Sequence, residues 1–185
     1  MMVEGDRGFI RFFWRVSASH IASYFVFGLL AYWLFDYRNW FQSEALVQFM
    51  ISTDTPQVAA GPALQVFRGL LFALVLWPIR SAFLGTERGW LHLWLLFVGL
   101  AILGTAGPSP GSLEGLIYTR LPFLYHIYGL PEVVLQTLAF SFMLTYWYKR
   151  PSPWWNRIMV PFVILIMVMG FLGVLAALGI IEVPQ

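Results

Sequence analysis

The stretch "IMVPFVILIMVMGFLGVLAALGI", residues 158–180, decides the class of this chain. No ionisable side chain lies between Arg157 and Glu182. At about 1.5 Å of rise per residue, such a run crosses the ~30 Å hydrocarbon core of a bilayer as a helix. Four further apolar stretches precede it, at about 16–35, 59–78, 90–105 and 131–148. The third and fourth are short for a full crossing, so they extend into the interface or thin the bilayer locally.

Composition points the same way. The 185 residues are 59% hydrophobic and 11% charged. Soluble domains carry about 25% charged residues, so this chain lacks the polar surface to coat a water-soluble globule. Its net charge of +2 is scattered at the ends of apolar runs, which argues against a nucleic-acid partner. The absence of cysteine excludes disulfides, thiolate metal sites and a cysteine nucleophile. The N-terminus is not expected to be a secretory leader, because Arg11 and Arg15 interrupt its apolar run. The fold expected is a single all-α domain over 1–185: a polytopic integral membrane protein of about five transmembrane helices.

Counting Lys and Arg by loop sets the orientation. Arg7, Arg11, Arg15, Arg80, Arg88, Lys149, Arg150 and Arg157 fall on one side, and Arg38 and Arg120 on the other. The positive-inside rule then places the N-terminus in the cytoplasm and the C-terminus outside, in a membrane expected to be the bacterial inner membrane. Trp14, Trp77, Trp90, Trp147, Trp154 and Trp155 collect at the cytoplasmic ends, where amphipathic rings are favoured. Arg7, Arg11 and Arg15 repeat every four residues, so residues 1–15 read as an amphipathic helix on anionic headgroups or as a continuation of the first span. Helix starts are expected at Thr86–Glu87, as cap and first-turn acid, and at Pro131–Glu132.

Polar residues converge in one place. The connection 107–130, "GPSPGSLEGLIYTRLPFLYHIYGL", is too apolar for a solvent loop and reads as a partly embedded outer segment, with Ser112 capping a short helix over 113–120. It carries Glu114, Arg120 and His126, with Glu132 following at the start of the fourth span. Arg68 lies inside the second span, where an unpaired cation costs roughly 2.5–3.5 kcal/mol on insertion scales. Glu132 is the first-choice partner and Glu114 the second, with Gln136 one turn from Glu132. Arg68, Glu114, Arg120, His126, Glu132 and Gln136 therefore form the candidate binding set, for an anionic or zwitterionic, lipid-like ligand. The alternative is that Arg68–Glu132 is simply an interhelical tie.

Other chemistries have weaker footing. His20 and His92, at one depth on the first and third spans, are the pair that would ligate a b-type haem axially. Each also reads as an interfacial polar residue bonded to a helix neighbour, and no cofactor or metal is expected. Ser109, Ser112, His126, Glu114 and Glu132 supply the residue types of a hydrolase, without the geometry that defines one. Thr137, Ser141 and Thr145, like Ser19, Ser23 and Gly28, read as helix-packing positions. The leading expectation is a ligand-binding, or transporting, membrane protein that is not an enzyme. Membrane lipids are its expected partners. The alternatives are a non-catalytic subunit with membrane-protein partners, and an enzyme acting on lipid-linked substrates.

Overall fold

The computed structural model describes residues 3–104 and 107–181, with side chains described from Gly8 onward. Thr105 as the end of the third span, the Arg7 side chain, Glu182 and the C-terminus lie outside these residues. Among the described residues all regular structure is helical. Four helical stretches are long and apolar enough to cross a membrane: Gly8–Leu34, Gly61–Leu84, Phe123–Lys149 and Pro153–Ala177.

Helix α1 runs unbroken from Val3 to Leu34, so the arginine repeat continues directly into the first span. It lies at the centre of the bundle, against α4 (Gly61–Leu84), α8 (Leu130–Lys149) and α9 (Pro153–Ala177). Helix α5 (Gly89–Leu103) packs on α8 and α4. Its fifteen residues rise only about 22 Å, which falls short of the hydrocarbon core. The remaining helices are short: α2 (Tyr37–Phe41), α3 (Pro56–Ala59), α6 (Leu113–Tyr118) and α7 (Phe123–Tyr128).

Several boundaries differ from the sequence expectation, each for a local reason. Helix α4 continues through Pro78 to Leu84. An internal proline is tolerated in membrane helices more readily than in soluble ones. Just beyond it the Arg80 guanidinium stacks 3.8 Å over the Trp77 ring while donating to the Trp77 carbonyl. Arg68 sits in the first third of α4, seven residues from its start. Helix α9 begins early, at Pro153, with the Ser152 hydroxyl accepting from the Trp154 amide. Thr86 does not cap α5. Its hydroxyl donates back to the Phe83 carbonyl, and the chain turns so tightly that a Cβ on Gly89 would lie 1.6 Å from that same oxygen. Pro131 holds the second position of α8 with Glu132 in the first turn, close to expectation.

The core lies at the end where α1 begins. Phe12, Val16, Ala73, Leu76, Leu93 and Leu144 interlock there, and Trp147 stacks on Trp155 at 5.5 Å. The Trp14 indole donates to Asn156 at 2.9 Å, joining the starts of α1 and α9. Gly69 lets α1 and α4 approach closely, since a Cβ there would sit 2.8 Å from the Ser17 Cα.

Candidate functional site

At the opposite end the helices part around a cavity of about 480 Å³. Its floor is aromatic. Phe72, Phe97 and Phe140 meet pairwise with centroids 5.1–5.9 Å apart, and His20 sets its ring edge-on against Phe72 at 4.9 Å. Its walls come from α1, α4, α5 and α8, because residues four apart on each helix share a face.

The roof comes from a stretch that the hydropathy pattern left unassigned. After α1 the chain turns at Asp36, a non-glycine residue in the left-handed region (φ 47°), and enters α2. Tyr37, Trp40 and Phe41 of α2 stack on one another over the cavity, and Trp40 lies nearly parallel to Tyr125 of α7 at 5.7 Å. The Tyr37 hydroxyl donates to a Glu132 carboxylate oxygen at 2.5 Å. Burial, and then this bond, raise the hydroxyl's pKa above the ordinary tyrosine value. The other carboxylate oxygen lies against α1 at Gly28, where a Cβ would meet it in ordinary van der Waals contact at 3.6 Å.

The expected residues divide. Arg68, Glu132 and Gln136 all line the cavity. Among the described residues, however, the ion pair is Arg38–Asp54, and neither Glu132 nor Glu114 reaches Arg68. The carboxylate is occupied by Tyr37, and Arg68 instead donates to the Gln65 side-chain oxygen at 3.5 Å. Arg68 is exposed along part of its length. Glu114 and Arg120 are also exposed, and Arg120 lines a separate crevice with Phe49 and Leu121. His126 is buried, its Nδ1 accepting from the Gly111 amide at 3.3 Å, and it does not line the cavity.

His20, outside the expected binding set, also lines the cavity, and Gln65 links it to Arg68. Gln65 donates its amide to the Gly61 carbonyl, so its oxygen faces both Arg68 and His20. That oxygen only accepts, so His20 Nε2, 3.0 Å away, carries the proton and leaves Nδ1 as an acceptor. Of the two histidines named as haem-ligand candidates, His20 binds Gln65, while His92 is exposed and lines no part of the cavity. The hydrolase residue types do not assemble either. Ser112 Oγ caps α6 by accepting from Gly115 and donates to the Ser109 carbonyl, which is a structural use. Gln65 and His20 carried a weak sequence signal, as uncharged polar residues inside apolar helices. The roof carried none, since aromatic rings in a connection resemble interface anchors.

Comparison with family models, with curated proteins and with solved structures finds no match.

Proposed function

We propose that the chain crosses the membrane five times, with its N-terminus in the cytoplasm, and that the cavity binds a small anionic or zwitterionic amphiphile at Arg68. The fifth crossing is α5. Its short length is made up by the turn at 107–112 and by α6 and α7, which then lie partly within the membrane. Backbone at that depth must be satisfied internally. The Ser112 hydroxyl does part of this, accepting from the amides of Ser109 and Gly115.

One observation carries the binding role: a cation inside a membrane helix opens onto an aromatic cavity without a described carboxylate in reach. A structural tie would hold Arg68 against Glu132, and the geometry offers only the long bond to Gln65. The energetic cost of a bare guanidinium is offset once an anionic group binds there. The volume falls within the roughly 300–1,000 Å³ of small-molecule sites, and the rest of the lining is largely apolar. An acidic head at Arg68 with an apolar body against the aromatic floor fits this chemistry.

Native mass spectrometry of gently extracted protein tests the reading. The wild type is expected to retain a discrete small acidic mass, and Arg68→Ala to lose it at least tenfold with its helical content unchanged. A bare wild-type chain, or equal retention by Arg68→Ala, overturns the reading. Co-migrating foreign subunits without a small mass replace it with a subunit role.

A further inference from the structure

We infer that the ligand enters the cavity sideways from the lipid, through the gap between α4 and α5, and is therefore a single-chain anionic amphiphile drawn from the membrane. This rests on the binding role proposed for Arg68. A groove of about 800 Å³ runs along the outside of α4 and α5 up to the turn at 107–109. It shares Arg68, Phe72, Phe97, Ala101 and Ser109 with the cavity, so the two spaces meet along that line.

The helix pair explains why the opening lies where it does. Phe72 and Phe97 touch across α4 and α5 with centroids 5.1 Å apart, which closes the gap at the cavity floor. Arg68 is one turn from Phe72 and Ala101 one turn from Phe97, both away from the packed core. A methyl group opposite a long, flexible cation leaves a mouth where two rings had filled the space. The guanidinium stands at that mouth. The groove's own edge is apolar, with Leu100 and the neighbouring Leu71 and Leu103 exposed. Toward the outer face the Trp40–Tyr125 stack and the Tyr37–Glu132 bond lie over the cavity. The cavity is thus roofed toward water and open toward lipid. Its volume suits one chain or ring system rather than a whole two-chain lipid.

The absence of cysteine makes a direct test available. Leu100 lines the groove but not the cavity, so Leu100→Cys places one thiol at the entrance. Tyr118→Cys, at an exposed site that lines neither space, serves as the labelling control. Both proteins are reconstituted in phosphatidylcholine nanodiscs and reacted, or not, with a pyrene maleimide. They are then incubated with dodecyl phosphate or with inorganic phosphate and read by native mass spectrometry. The expected result is a dodecyl phosphate adduct on wild type and on both unreacted variants. After reaction the adduct falls at least tenfold on Leu100→Cys and is unchanged on Tyr118→Cys, while inorganic phosphate gives none. If reacted Leu100→Cys retains the adduct, or inorganic phosphate binds equally, lateral entry is overturned and the Arg68 site stands. If wild type forms no adduct of either kind, the binding role falls with it. Labelling follows folding, so a misfolded variant shows itself by losing the adduct before reaction. In that case the same comparison is made with Leu103→Cys, one turn along the exposed edge.

Discussion

The two ends of the bundle are built from the same residue types and used in opposite ways. Where α1 begins, aromatic and aliphatic side chains interlock: Val16, Ala73, Leu93 and Leu144 are fully enclosed, and Gly69 brings two backbones into contact through Ser17. Where α2 and α7 cap the bundle, rings stack above a space instead of filling it, and Arg68, His20 and Glu132 border that space. The difference teaches that aromatic content alone does not mark core. Rings packed edge-on among aliphatics exclude water and stabilise, whereas rings stacked as a roof leave volume for something else. The close-packed core lies at one end and the cavity at the other.

This contrast is breakable at either end. The largest effect is expected from Leu144→Ala, which empties a site at 0% exposure and should cost about 2–5 kcal/mol in reversible unfolding from mixed micelles. Ligand retention should be untouched. Next, Gly69→Ala should cost about 1–3 kcal/mol by overpacking the α1–α4 contact. The added Cβ meets the Ser17 Cα at 2.8 Å, so Ser17→Ala should fail to rescue it. Rescue in the double variant would show that the hydroxyl, not the backbone, sets the helix spacing.

At the capped end, Tyr37→Phe should cost only about 1 kcal/mol, the net worth of one hydrogen bond. Its pH dependence sharpens the point. Because the folded pKa of Tyr37 is raised, the neutral hydroxyl is favoured in the fold. Its contribution is therefore fully present below the ordinary tyrosine value of about 10, and is lost as pH rises through the raised value. The stability difference between wild type and Tyr37→Phe should stay flat from neutral pH to about pH 10 and shrink only above it. A difference that changed between pH 7 and 9 would mean the hydroxyl is not the group at work.

Much of the helical framework was legible, because an apolar run long enough for lipid has only one way to satisfy its backbone. Most of the run at 158–180 falls in α9, which ends at Ala177, and Arg68 was marked by the cost of a charge in such a setting. The Arg68–Glu132 pairing was a matter of reach, and reach depends on how α4 and α8 rotate about their axes. The observed rotation gives Glu132 to Tyr37 and Gln65 to Arg68. Glu114 and Arg120 were grouped with the site because they share its segment, yet Glu114 on α6 and Arg120 just beyond it are both exposed and line no part of the cavity.

By itself, then, the sequence determined that the chain is helical and built for a membrane, and that one basic residue would demand an account. Those properties are local, following from composition over twenty residues and from the price of an unpaired charge in lipid. Tertiary structure alone decided that a connection of Tyr37, Trp40 and Phe41 folds back as a roof, and that Arg68 and Ala101 line one cavity. Both depend on contacts between segments distant in the chain, which hydropathy, being a property of one segment at a time, does not record.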